Sequence, residues 1–355
     1  MLVVTFVNIL VVILAAVTGN NRSANNYWKG IIAFLVVFYG IRYMYGNDYE
    51  PYSLIFKETE SYHSLAIAFS QMGYERGWIL LNRLMLPFGF EGVVFFHTFI
   101  IFGSVGWLYK KYVPSKDRWC ALFFYLFITE LMLISLSAMR QSAAMALVCF
   151  SIPFILEKKY IKSVLIILLA SLFHTTALFA ICLVFTQLTF KFSRRKYQIS
   201  MIILFILSYS LISYFKENIE LIVTFLASDY DKYLVGEASE LSVGFGTIAR
   251  LGLMLVALKL DKHDGSNESF FLKLFVLSNL FLPLSFVNGM AGRLAWYWYI
   301  FTPISFCYIK KYTKDKFVLC FFLFFILLTI KGYQSHFQSE VYGPFYESYS
   351  TIFSK

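Results

Sequence analysis

Stretches of about 20 mostly apolar residues, the length an α-helix needs to cross a bilayer, recur along the whole of this 355-residue chain. They leave no room for a separate soluble domain, so residues 1–355 are expected to form a single transmembrane domain. Spans read near 1–18, 28–45, 91–109, 119–136, 139–156, 162–174, 175–190, 197–214, 245–259, 270–287, 293–309 and 317–331. The expected fold class is an all-α polytopic integral membrane protein of about 12 transmembrane segments. A composition that is 59% hydrophobic and 15% charged agrees, being too apolar for a chain solvated by water. Met1–Asn20 lacks the basic start and small-residue cleavage site of a signal peptide, and reads as a retained first span.

The net charge of +10 sits in short clusters between the spans. No basic stripe with interleaved aromatics is present, so nucleic acid is not an expected partner, whereas membrane lipid is. With the N-terminus outside and twelve crossings, the inner loops hold 19 of the 31 basic residues but 6 of the 21 acidic ones. That asymmetry follows the positive-inside rule. Merging the two runs around His174 would move the clusters Lys191–Lys196 and Lys310–Lys316 outside, which favours keeping them separate.

Three outer elements follow. Residues 46–90 contain the apolar stretches Leu65–Met72 and Trp78–Phe88, too short to cross and suited to interfacial or re-entrant helices. Residues 215–244 form a second, acidic outer loop with Asp229, Tyr230, Asp231 and Tyr233, and 332–355 an aromatic-rich outer tail. The five cysteines lie inside apolar runs with no C-x-x-C pair, so neither disulfides nor a zinc site is expected. With no HExxH and no Walker loop, neither a metal nor a nucleotide cofactor is expected.

Ionisable residues close to hydrocarbon are costly and mark candidate sites. Arg42 closes the second span, ahead of Gly46-Asn47-Asp48-Tyr49. Arg140 and Gln141 open the fifth, among the small residues Ser137, Ala138, Ser142, Ala143 and Ala144. His174 sits at the junction of two apolar runs, and Arg293 opens the eleventh span after Gly292. In the expected topology all four reach the outer face. Each has a plainer reading too. An arginine at a span end can snorkel to headgroups, a lone histidine at a helix start is commonly structural, and Asp48 can be a turn residue. Small neighbours around Arg140 favour helix packing over lipid exposure. Together, three guanidinium groups would bind phosphate through paired hydrogen bonds. Each charge pair at 4 Å is worth about 4 kcal/mol at an effective dielectric near 20. Such a cluster could stabilise a departing pyrophosphate.

On these residues the chain resembles the EpsG family of bacterial membrane proteins, a branch of the Wzy-type polysaccharide polymerases. The resemblance is carried by Arg42 with Gly46-Asn47-Asp48-Tyr49, Glu75-Arg76-Gly77-Trp78-Ile79-Leu80-Leu81-Asn82, Met139-Arg140-Gln141, Ala170-Ser171-Leu172-Phe173-His174-Thr175-Thr176-Ala177, Asp229-Tyr230-Asp231-Lys232-Tyr233 and Gly292-Arg293. Relatives often have Gly-Thr-Asp where this chain has Gly46-Asn47-Asp48, and Pro-Gly where it has Arg76-Gly77.

The resemblance implies a metal-independent glycosyltransferase of GT-C-like architecture in the bacterial cytoplasmic (inner) membrane, its active site facing the periplasm or exterior. Its substrates would be undecaprenyl-pyrophosphate-linked oligosaccharide repeat units of an O-antigen, capsule or exopolysaccharide. The growing glycan would pass to the non-reducing end of the incoming unit. The same reading leaves a chain-length regulator open as a protein partner. In that scheme Arg42, Arg140 and Arg293 hold the pyrophosphate, His174 or Asp48 activates the acceptor hydroxyl, and Gln141, Tyr49, Tyr230, Asp231 and Tyr233 contact substrate. An O-antigen ligase-like transferase and a lipid-linked oligosaccharide flippase are the rival classes.

Overall fold

Seventeen apolar or weakly polar residues without a charge make helix α1, Leu2–Thr18, and the pattern of its burial identifies its solvent. The protein was described from a computed structural model covering residues 1–211, 245–281, 283 and 292–354. On α1, Val4, Val7, Asn8, Val11 and Ala15 face the interior, while Leu2, Val3, Phe6, Ile13 and Val17 are exposed. A helix in water turns polar residues outward. One that turns leucine, phenylalanine and isoleucine outward is solvated by lipid.

Among the described residues the regular elements are helices, apart from two two-residue strands. Three helical stretches among them are long and apolar enough to cross a membrane: Arg76–Tyr112, Met139–Leu156 and Lys316–Gln338. Leu2–Thr18, Tyr160–Ser171 and Thr175–Lys191 are shorter apolar helices. One of the expected spans, 119–136, is split into α7, Arg118–Phe127, and a single turn, α8, at Leu133–Ser137. A second break, at 172–174 after α11, Tyr160–Ser171, falls between the expected spans 162–174 and 175–190. Irregular backbone is tolerated at membrane depth where protein encloses it. Leu131, Met132 and Leu133 in the first break are accordingly at most 1% exposed.

The chain forms two compact units, Met1–Ile181 with Thr329–Lys355, and Cys182–Leu328. In the first, α2 (Ala24–Gly40) packs along α6 (Gly89–Tyr112), α6 along α9 (Met139–Cys149), α9 along α11, and α1 along α7. Residues 46–90 fold as α3 (Tyr49–Ser61), α4 (Leu65–Gln71) and α5 (Arg76–Met85). A 3-10 turn at Leu86–Phe88 joins α5 to α6.

The two ends of this unit differ in character. At one, Arg118 donates to Asn25 Oδ1 (2.9 Å) and to the carbonyls of Lys110 and Val113 (both 3.2 Å). It thereby gathers the loops that carry Arg22, Lys29, Lys110, Lys111 and Lys116. At the other, the Met1 amine donates to the carbonyls of Tyr346 (3.3 Å) and Glu347 (2.6 Å). There β1 (Arg42–Tyr43) pairs antiparallel with β2 (Ser350–Thr351). The tail is built into this end: Tyr346 is fully buried, with its hydroxyl 2.5 Å from Ser137 Oγ.

The second unit, taken by itself, packs α14 (Phe245–Leu260) against α15 (Asn267–Phe281). From within α15, Lys273 reaches their connecting turn, where its Nζ lies 2.8 Å from Asp261 Oδ2, with side-chain exposures of 0% and 3%. Its ammonium also sits 3.4 Å from the centroid of the Tyr197 ring. Removing one member of such a buried pair strands the other charge and costs about 3–5 kcal/mol, whereas replacing both is far milder. Lys273→Met should therefore lower thermal stability in detergent, and Lys273→Met with Asp261→Asn should recover most of the loss. Additive losses in the double variant would show that the pair is not coupled.

Candidate functional site

Glu75 is the residue on which the site turns. The chain is extended at Glu75 (φ −63°, ψ 137°) and enters helix α5 at Arg76. This geometry holds the Glu75 carboxylate beside the start of α9 and the turn after α11. Its Oε2 lies 2.5 Å from Arg140 Nη1. Its Oε1 lies 2.9 Å from His174 Nδ1 and accepts from the Thr175 amide at 3.1 Å. Burial alone would raise the Glu75 carboxyl, but the hydrogen bond from His174 and the charge of Arg140 outweigh it and hold it at about 2. The group is therefore an ionised acceptor at neutral pH. An ionised carboxylate can only accept, so His174 Nδ1 donates and, on the neutral ring, the free lone pair resides on Nε2.

Close backbone packing keeps these groups in register. The Gly77 amide donates to the Leu172 carbonyl at 2.7 Å, and a Cβ at Gly77 would stand 2.6 Å from that same oxygen. No side chain fits there, so a glycine follows Glu75 and Arg76. Gly77→Ala should push away the turn bearing His174. A misplacement of about 1 Å can cost on the order of 100-fold in rate, so activity should fall by roughly ten- to a hundredfold with the helical content retained, checked by product formation alongside circular dichroism. Full activity would mean that the His174 turn tolerates displacement.

Aromatic side chains shape the surroundings of Arg140. The ring of Tyr74 lies 5.1 Å from its guanidinium carbon, an arrangement that favours a cation over a π face. Its backbone amide donates to the Tyr52 hydroxyl at 3.4 Å, and Tyr52 packs on Trp78 with ring centroids 5.2 Å apart. Arg140 Nε is buried without a hydrogen-bond partner among the described residues, while a quarter of the side chain is exposed. The guanidinium is thus held by Glu75 through Nη1 and by the Tyr52 hydroxyl, and the exposed quarter of the side chain is its open edge.

Arg140 and His174 therefore meet, through Glu75. Asp48 precedes α3, whose Tyr52 touches Arg140; its Oδ1 accepts from Asn47 Nδ2 at 2.8 Å. Gly46, at φ +113°, makes the turn before it. Gln141 follows Arg140 and is buried. Arg42 is placed differently. It has no exposed surface, and its Nη1 donates to Tyr39 O and Thr98 Oγ1 (both 2.8 Å) and its Nη2 to Leu136 O (3.2 Å). Tyr49 is enclosed with Phe56, Trp78, Ile79 and Phe90 in a packed core formed by α3, α5 and the start of α6. Arg293 belongs to the second unit, its guanidinium 5.5 Å from the Trp296 ring. Tyr230, Asp231 and Tyr233 lie outside the described residues.

The sequence reading assigned no role to Glu75, although it lies in one of the segments that carry the family resemblance. The available signal was an acidic residue immediately before an apolar stretch, where a carboxylate needs a cationic partner. Which cation, more than 60 residues away, only the fold reveals.

A lipid-solvated helical bundle with a part-buried carboxylate joining an arginine and an imidazole defines a membrane protein with a polar site at one end of its first unit. The chain belongs to the EpsG family, whose model matches residues 25–346. This is a family of Wzy-type polysaccharide polymerases, which makes a glycosyltransferase-type polymerase the general activity class. Comparison with curated proteins and with solved structures yields no match.

Proposed function

We propose that this protein is a polyprenyl-pyrophosphate-dependent polysaccharide polymerase acting at the outer face of the bacterial cytoplasmic membrane, with twelve crossings and GT-C-like architecture. The observation that carries the proposal is the Glu75–Arg140–His174 cluster, at the end of the first unit opposite its basic loops. By the positive-inside rule those loops are cytoplasmic. The start of α1 rests on residues 346–347, which supports an even number of crossings between them.

The donor is the growing glycan on undecaprenyl pyrophosphate and the acceptor a hydroxyl on the non-reducing end of an incoming lipid-linked repeat unit. The acceptor oxygen bonds to the donor's anomeric carbon as the bond from that carbon to the pyrophosphate oxygen breaks. The electron pair leaves with the pyrophosphate, and the hydroxyl proton passes to His174 Nε2. Glu75 orients the ring and stabilises the imidazolium that forms. The open edge of Arg140 faces the developing diphosphate charge. Arg42 positions the turn leading to Asp48 from below. Arg293, Gln141 and the tyrosines of the 215–244 loop are proposed substrate contacts, and a chain-length regulator a proposed partner.

The decisive assay supplies purified protein with a defined lipid-linked repeat unit and no metal, and reads the sizes of lipid-linked products. A ladder of longer glycans supports polymerisation. Unchanged single repeats, or glycan moved onto a different lipid acceptor, would replace it with transport or ligation.

A further inference from the structure

The second unit carries a groove quite separate from these residues. It lies where the start of α13, Arg194–Ser210, meets the end of α14. Its volume is about 680 Å³. Arg194, Arg195 and Lys259 line one end; Ile202, Leu255 and Leu258 line the rest. Arg194 and Ile202 are eight residues apart on one helix face, a rise of about 12 Å. The lining therefore changes from cationic to apolar over the depth of a lipid headgroup and the first part of its chains.

Two hydrogen bonds fix the walls. Arg194 Nη2 donates to the Lys259 carbonyl at 2.6 Å and Gln198 Nε2 to the Leu258 carbonyl at 2.8 Å. These side chains cap the carbonyl end of α14 and hold the two helices at a set spacing. Arg195 and Lys259 remain exposed. The nearby acid Asp315 lies 3.6 Å from Lys259, but both side chains are well solvated, and such pairs contribute little. The groove mouth keeps a strong positive potential next to lipid-facing apolar surface; Leu255 and Ile203 are each at least 40% exposed.

We infer that this groove binds one anionic phospholipid from the leaflet that meets the start of α13 and the end of α14. The lipid phosphate lies among Arg194, Arg195 and Lys259, and one acyl chain runs along Ile202 and Leu255. A zwitterionic headgroup carries its own cation and would meet repulsion there. A free phosphate would gain the charge but none of the apolar contact. Clusters of basic residues beside membrane helices draw anionic lipid in this way, each contributing on the order of fivefold in affinity.

The test uses full-length protein in detergent, titrated with phosphatidylglycerol, phosphatidylcholine or inorganic phosphate and read by native mass spectrometry. Phosphatidylglycerol should be retained at one copy per chain, and phosphatidylcholine at least tenfold more weakly. Arg195→Gln with Lys259→Gln should weaken phosphatidylglycerol by roughly tenfold or more; both residues are exposed, so the fold should be untouched. A second variant, Ile202→Trp, fills the apolar part with the charges intact and should also displace the lipid. Equal retention of both lipids, or of phosphatidylglycerol in both variants, overturns the inference. Displacement of the lipid by inorganic phosphate at equal concentration would also overturn it, assigning the site to a soluble anion.

Discussion

Replacing His174 with alanine should abolish polymer while leaving single lipid-linked repeats to accumulate. Loss of a positioned general base costs about 10²–10⁴-fold, and loss of one electrostatic donor to a departing oxyanion about 10²–10³-fold. Arg140→Ala should thus resemble His174→Ala in product pattern, since in the proposed mechanism the two side chains act on the two ends of one displacement. Glu75→Gln is the more discriminating variant. It keeps the shape of the side chain but removes the anion that orients the imidazole, so its rate should fall well below the native one even though neither His174 nor Arg140 has changed. Normal glycan length in His174→Ala and Arg140→Ala together would refute the assignment.

The same carboxylate has a signature in acid. Its folded value of about 2 lies below the ordinary 4.5. The stabilisation is therefore fully present above about pH 4.5 and is lost as the pH falls toward 2. Glu75→Gln should have lower stability at neutral pH and a flatter profile across that window. An identical acid profile for the two proteins would mean that the carboxylate is not held by its partners.

The second large effect is expected at Arg42, and it is one of folding. The guanidinium has no exposed surface and supplies donors to Tyr39, Thr98 and Leu136, joining the end of α2 to α6 and to the chain before α9. Arg42→Ala would leave three buried acceptors without their donor and open a cavity. Each stranded polar group costs about 1–3 kcal/mol, so the total should reach several kcal/mol and show as lost thermal stability and low yield in detergent. Arg42→Lys should rescue poorly, since an ammonium cannot present the planar fork that reaches acceptors on separate elements. Unchanged thermal stability with lost polymerisation would instead place Arg42 among the substrate-binding groups, as its position in the sequence first suggested.

The contrast between Arg42 and Arg140 shows how far residue type and location carry. Both are arginines at the border of an apolar run, and on sequence grounds they read alike. In the folded chain one is consumed by two backbone carbonyls and a threonine hydroxyl, while the other keeps an open edge beside a carboxylate and an imidazole. Tyr49 shows the same limit: it lies next to Asp48, yet its ring packs on Phe90, 5.1 Å between centroids. The expected span 119–136 shows it for the backbone. Hydropathy registers an apolar run but not the turn at 128–132 that interrupts it, because enclosed apolar residues look the same whether helical or not.

The order of apolar and charged segments by itself determined that this chain is a helical membrane protein, because lipid admits few ways to satisfy a backbone and every residue contributes to the average. Its dispersed short motifs determined the family. Tertiary structure alone decided the site, bringing Glu75, Arg140 and His174 from three separate segments to within hydrogen-bonding distance. The physical reason is range: transfer of apolar surface sums over local composition, whereas a hydrogen bond between residues a hundred positions apart depends on how the helices between them pack.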